Sequence, residues 1–191
     1  MNGERGTFAM VHLSVLLALA VALHAVEALI PVPYLFPGAK LGLANIVALH
    51  VIYTYGAGAA LAVTGLRALL GSIMSGTFLG TGFALSVSGG LSSTAVMGLL
   101  GRSARGPGRD SLSPVGVSVA GAVTHNVTQL AVASLLTRQA GLVFYLPVLL
   151  FFAVPTGVFV GVLSQKMKPL EGTVRALLKS RSGRIPDRRK D

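Results

Sequence analysis

The chain has 191 residues, of which 52% are hydrophobic and 12% charged, and its formal net charge is +10. A mean hydropathy of +0.73 excludes an ordinary soluble domain, because a surface facing water needs much more charged cover. Between Gly6 and Gly101 the only charged side chains are Glu27, Lys40 and Arg67. The chain has no cysteine, which excludes disulfides, thiolate metal sites and a cysteine nucleophile.

Six apolar runs predict an all-α integral membrane bundle of six transmembrane helices. The second run is short for a full span, so a tilted or partly re-entrant helix is possible there. We interpret the first run as a retained helix and not a signal peptide, because its apolar core is long and Glu27 interrupts it. The runs cover residues 9–30, 41–55, 58–75, 77–100, 114–137 and 142–165.

The basic residues predict the orientation of the bundle. Nine of the 16 Lys and Arg residues follow residue 165, and three more lie between Arg102 and Arg109. Both stretches lack aromatic residues on which bases could stack, so nucleic acid is a poor candidate partner. We expect both termini and the loop at 102–109 to be cytoplasmic, in a multi-pass protein of the cell membrane with the lipid bilayer as its partner.

The last residues form a separate basic segment. We place the boundary between a transmembrane domain at 1–168 and a cytoplasmic tail at 169–191. The tail has Leu170, Val174 and Leu177 at helical spacing. It is therefore either a short interfacial helix on anionic lipid or a solvated end that only fixes topology.

Polar side chains inside the runs are the candidates for a ligand site. An Arg at the centre of a membrane helix costs about 2.5–3.5 kcal/mol on insertion scales, so Arg67 should face the interior and pair with Glu27. The orientation places this pair and its polar neighbours in the outer half of the bundle. Lys40 and Arg67 give a slight positive excess, which suits an acidic or phosphate-bearing small molecule. The predicted substrate-binding residues are Glu27, Lys40, Asn45, Arg67, His125, Asn126 and Gln129.

Two features leave alternatives open. The same polar groups could serve only to hold helices together. The fourth run contains Gly89 and Gly90 among hydroxyl residues, which indicates either close helix packing or a broken helix that offers backbone groups to a substrate. Packing is the favoured interpretation.

Signals of enzyme chemistry are weak. The acidic residues are scattered, and no paired acidic motif exists to hold magnesium against a diphosphate. The four histidines show no metal-ligand spacing within one helix, and the chain lacks a Walker phosphate loop. We therefore expect no catalytic residue, metal or cofactor, and no ability to energise transport with ATP alone.

Several segments resemble a bacterial membrane family known as the Gx transporter family or as heptaprenyl diphosphate synthase component I. The resemblance covers about residues 10–165. Ala39 and Thr124 stand where the family commonly has Val and Ala, and neither change removes a needed polar group. The similar segments are 37–46 (PGAKLGLANI), 66–72 (LRALLGS), 76–77 (GT), 88–90 (SGG), 121–129 (GAVTHNVTQ) and 145–147 (YLP).

This resemblance implies a bundle similar to the S components of energy-coupling factor transporters. S components bind a small molecule from outside, beneath the first loop, and work with a separate membrane scaffold and ATPases. Ala18 and Ala22 could form the small-residue face that meets the scaffold. The rival hypotheses are a non-catalytic membrane subunit of heptaprenyl diphosphate synthase, in isoprenoid metabolism, and a purely structural partner of a membrane complex. A lipid substrate predicts a cavity open laterally between helices, whereas a soluble one predicts a cavity capped by the loop at 31–40.

Overall fold

A computed structural model describes residues 2–29, 42–103 and 112–182, and this part of the chain is all-helical. A 3₁₀ helix at Ala140–Tyr145 precedes the last of six α-helices. Five of the helices are long and apolar enough to cross a membrane by length and composition, which is the character of a multi-pass membrane protein. The α-helices are α1 (Asn2–Leu29), α2 (Leu43–Tyr55), α3 (Ala57–Met74), α4 (Thr81–Ser103), α5 (Pro114–Thr137) and α6 (Leu146–Ser182).

The short helix α2 is the centre of the core. Its 13 residues extend over about 20 Å, less than the hydrocarbon thickness of about 30 Å. Residues 46–52 are buried, and most of them share one hydrophobic core with buried side chains of α1, α3, α4, α5 and α6. A helix that is apolar on all sides lies inside its bundle, and α2 does so here. It is joined to α3 through Gly56 alone, whose φ of 96° favours glycine.

Glycines let the longer helices approach closely. A Cβ atom on Gly157 of α6 would lie 2.6 Å from Val119 Cα of α5, and one on Gly161 would lie 2.5 Å from Val115 Cα. These two glycines have the small-xxx-small spacing typical of membrane helix contacts. By contrast, Gly76 and Gly80, which have the same spacing, lie in the turn between α3 and α4.

Helices α4 and α6 both continue through residues that often interrupt a helix. Helix α4 continues without a break through Gly89 and Gly90, so the interpretation of these residues as packing positions fits the structure. Helix α6 continues through Pro169 as far as Ser182. The first part of the predicted tail is therefore helical, in agreement with the helical spacing of its apolar residues.

Candidate functional site

A polar cavity of about 30 Å³ lies inside the bundle, where α1 ends and α2 begins. Helices α1 to α5 all contribute to its walls. A space of this size holds about two water molecules at most. Its lining residues are His24, Glu27, Gly42, Ala44, Asn45, Arg67, Ser86, Ala122, His125 and Asn126.

The structure brings five of the seven predicted site residues together at this cavity, namely Glu27, Asn45, Arg67, His125 and Asn126. Gln129 lies one turn further along α5 and lines a neighbouring crevice. Lys40 lies outside the described residues. Asn126 and Gln129 are both predicted site residues of α5, but the packing of the helix brings Asn126 and not Gln129 to the wall of the cavity.

Arg67 of α3 is the cation of the cavity. Its side chain is only 6% exposed, and Glu27 exerts an electrostatic attraction on it. This agrees with the prediction that Arg67 faces the interior near Glu27. The guanidinium has five N–H donors, yet within the part of the chain that the structure describes it makes no hydrogen bond. A buried cation with unused donors favours an acceptor-rich partner.

Glycine makes room for this cation. A Cβ atom on Gly90 would lie 3.0 Å from Arg67 Nη2 and 3.0 Å from Thr64 Cγ2, which is tighter than ordinary contact. Next to Arg67, the hydroxyls of Thr64 and Thr94 are 3.0 Å apart in a buried hydrogen bond between α3 and α4. The absence of a side chain at Gly90 therefore leaves the space that Arg67 Nη2 and Thr64 Cγ2 occupy.

Glu27 joins the cavity to the beginning of α2. Its Oε1 accepts a hydrogen bond of 2.5 Å from the backbone N–H of Gly42, and the side chain is 7% exposed. Gly42 is the N-cap residue and has a left-handed φ of 69°. A carboxylate at this position is stabilised by the positive end of the helix dipole as well as by Arg67. Glu27 therefore accepts a hydrogen bond at the beginning of α2 and also attracts the Arg67 guanidinium.

Two amides of α5 bridge to the neighbouring helices. Asn126 Nδ2 donates to the carbonyl oxygen of Leu149 in α6 at 3.0 Å. Gln129 Nε2 donates to the carbonyl oxygen of Leu85 in α4 at 3.2 Å. Both bonds are of the kind that joins membrane helices. Asn126 thus contributes to helix packing and also lines the cavity, whereas Gln129 contributes to packing beside it.

The histidines divide between the two ends of the bundle. His24 and His125 line the cavity. His12 lies at the other end of α1, where its Nδ1 is 2.6 Å from the hydroxyl of Tyr55 and its ring contacts that of His50. Sequence reasoning left His24 and Ser86 out of the site. The spacing of three between His24 and Glu27 is the signal that could have included His24.

A larger apolar crevice of about 320 Å³ lies between α4, α5, the 3₁₀ helix and α6. It lies close to the polar cavity, because Asn126, which lines the cavity, donates a hydrogen bond to the carbonyl oxygen of Leu149, which lines the crevice. The crevice reaches the surface at Tyr145, which is 48% exposed. Its lining residues are Leu85, Gln129, Leu130, Ala133, Leu142, Tyr145 and Leu149.

The family model for heptaprenyl diphosphate synthase component I matches residues 16–167. The chain belongs to this family. The match includes every residue that lines the polar cavity and the crevice. No curated protein and no solved structure gives a significant match.

Charged and hydrogen-bonding side chains meet at the polar cavity of this family member. Among the described residues, no group of three or more His, Cys, Asp or Glu side chains could hold a metal ion. One guanidinium, one carboxylate, two imidazoles and two amides meet there. Such a set can neutralise and orient an anionic group by charge and by hydrogen bonds.

Proposed function

We propose that this chain is an integral membrane protein that binds a small anionic molecule at Arg67 and takes it up across the membrane. The observation that carries the proposal is the buried guanidinium, which faces a polar cavity without a hydrogen bond among the described residues. A carboxylate or phosphate offers an Arg two acceptors at once in the geometry of its planar fork. Asn45 and His125 would supply further hydrogen bonds, and Lys40 would attract the anion from outside.

The proposed architecture is a six-span bundle similar to an S component, with residues 1–168 as the membrane domain and 169–191 as a basic cytoplasmic tail. Helix α2 would be the short second span, shielded from lipid by the other helices. Both termini would be cytoplasmic in a bacterial cell membrane. Ala18 and Ala22 lie on the exposed side of α1, which supports docking of a transmembrane scaffold that works with separate ATPases.

A second candidate function takes its support from the apolar crevice. The crevice reaches the surface at Tyr145 and lies close to the polar cavity, which suits a molecule with an anionic head and an apolar chain. On this proposal the chain is the non-catalytic membrane subunit of a heptaprenyl diphosphate synthase, as the family name indicates, and it holds a lipid diphosphate. The head would lie at Arg67 and the chain would follow α5 towards Tyr145.

Native mass spectrometry of gently solubilised protein separates the two candidates. A soluble anion that co-purifies supports uptake, and an isoprenoid diphosphate supports the synthase subunit. Ala133→Leu would fill part of the crevice and should release the lipid while leaving a soluble anion bound. Purification of the wild-type protein with neither class of molecule, in a form that binds neither when they are added, would leave only a structural role.

Substitutions at the cavity test whether the polar cluster binds a ligand or only joins helices. Arg67→Gln and Asn126→Ala should each reduce binding at least tenfold per folded molecule. Gln129→Ala is the matched control, because it removes an equivalent interhelical bond without altering the cavity wall. For Asn126→Ala and Gln129→Ala we expect similar losses of thermal stability, about 0.6 kcal/mol each, but only the former should lose a soluble ligand.

Arg67→Gln leaves the Glu27 carboxylate buried without its cation, which costs stability. The double variant Arg67→Gln with Glu27→Gln restores neutrality and should melt closer to the wild type while still failing to bind. Equal binding by the wild type and by this double variant would show that the cluster is a structural network.

A further inference from the structure

The polar cavity already contains an anion of the protein's own. Among the described residues that line it, Glu27 is the only acidic one. Its carboxylate accepts the N–H of Gly42 and attracts Arg67. These are the two positive features that an incoming carboxylate or phosphate would use. Glu27 therefore competes with the anionic ligand proposed above.

The net charge of the cavity determines whether the anion and the Glu27 carboxylate can be present together. With neutral histidines, the charges of Arg67 and Glu27, the charged residues among the described lining of the cavity, sum to zero. A bound monoanion would leave one net negative charge in the bundle, where an uncompensated charge is costly. One proton from the aqueous side, added to a carboxylate oxygen of Glu27, restores neutrality with the anion beside Arg67.

The small volume of the cavity also supports protonation of Glu27 when the anion binds. About 30 Å³ is too little for a phosphate-bearing molecule unless Glu27 or its neighbours move. A neutral carboxyl group accepts weaker hydrogen bonds than a carboxylate and no longer attracts a guanidinium. Protonation therefore weakens the hydrogen bond from Gly42 and the attraction to Arg67, and it favours the movement that admits the anion.

We propose that the anion and a proton bind together at this site, with Glu27 as the proton acceptor. The inference rests on the proposed function, since it requires an anion at Arg67. We assign the proton to Glu27 because its carboxylate competes with the anion for Arg67 and for the N–H of Gly42, and protonation removes that competition. The other titratable or charged groups that line the described cavity are His24 of α1, Arg67 of α3 and His125 of α5, and α2 and α4 contribute only uncharged groups.

The test uses the purified full-length chain and methanesulfonate, a monoanion that does not titrate near neutral pH. In the wild type, the affinity for methanesulfonate should fall about tenfold per pH unit over the range in which Glu27 is ionised in the free protein and protonated in the complex. Binding in weakly buffered solution should take up about one proton per anion. Glu27→Gln keeps an acceptor oxygen for Gly42 and should bind with an affinity independent of pH, taking up no proton.

The controls assign the proton to a residue. His24→Gln and His125→Gln should keep the pH dependence, and its loss in either variant with retention in Glu27→Gln would overturn the assignment. If Glu27→Gln fails to fold, proton uptake that the wild type shows and both histidine variants retain still assigns the proton to Glu27 among the described cavity residues. Absence of uptake, or of methanesulfonate binding by both wild type and Glu27→Gln, would also overturn it.

Failure of this inference is distinguishable from failure of the proposed function. A co-purified anion that Arg67→Gln loses, with no proton taken up on binding, would disprove the coupling and leave anion binding intact. A co-purified anion that Arg67→Gln retains would disprove both.

Discussion

At the scale of single residues, the position of the Arg67 guanidinium depends on a neighbour that has no side chain. Gly90 leaves the space into which Arg67 Nη2 and Thr64 Cγ2 fit. Gly71 has the same relation to His24, since a Cβ there would lie 2.9 Å from His24 Cδ2. The polar side chains of the cavity are thus placed by glycines on the facing helices.

Gly90→Ala tests this placement. Ala is the better helix former by about 1 kcal/mol, so the variant should fold as well as the wild type. A Cβ 3.0 Å from Nη2 should push the guanidinium from its rotamer at a cost of up to about 1.5 kcal/mol, which corresponds to roughly a tenfold loss of anion affinity. Gly65→Ala, whose Cβ would lie 3.9 Å from Leu91 Cδ2, is the control and should bind normally. Unchanged binding by Gly90→Ala would contradict the argument.

At the scale of helices, α5 is the element on which the site depends. It packs against both α4 and α6 and bridges to them through Gln129 and Asn126. Gly157 and Gly161 bring the backbone of α6 onto that of α5. The close approach at this contact also sets the position of Leu149, whose carbonyl receives the bond from Asn126.

Gly161→Ala should therefore separate α5 from α6. Its Cβ would lie 2.5 Å from Val115 Cα. A backbone atom within a packed helix cannot move aside as the end of a flexible side chain can. We expect a loss of about 1–3 kcal/mol, the usual cost of overpacking, measured as a lower melting temperature in detergent. Gly58→Ala meets nothing within 4 Å and should be neutral or slightly stabilising. Equal melting temperatures for the two variants would refute the close contact.

At the scale of the whole molecule, the apolar exterior surrounds a core built on α2. Large apolar side chains are exposed on the outer helices, including Leu135 at 77% and Phe151 at 75%. Such a surface suits lipid and not water. The buried α2 has no such exposed side chains, and the five longer helices form the apolar exterior.

The orientation of this bundle can be measured directly, because the chain has no cysteine. Single cysteines at Arg109 and Asp191 should react with an impermeant maleimide only after the cells are opened, since basic segments resist translocation. Gln139→Cys, at an exposed position beyond the end of α5, should react in intact cells. Labelling of Asp191→Cys in intact cells would contradict the arrangement with both termini inside.

The sequence by itself predicted the positions of most helices and the burial of Arg67 near Glu27. Hydropathy reflects the solvent around each segment, so it located α1 to α5 closely from local composition. The cost of a charge in hydrocarbon is likewise a property of one residue, and it predicted that Arg67 is buried near Glu27. The motifs around Asn45 and His125 predicted the family, which the match over residues 16–167 confirms.

Only the tertiary structure decided which side chains meet. Gln129 and Asn126 look equivalent along α5, but packing against α4 and α6 turns one towards the apolar crevice and the other towards the polar cavity. The entry of His24 into the site, the hydrogen bond from Gly42 to Glu27 and the space at Gly90 likewise depend on the rotation and separation of helices. These quantities are set by contacts between residues far apart in sequence, and periodicity within a single helix does not contain them.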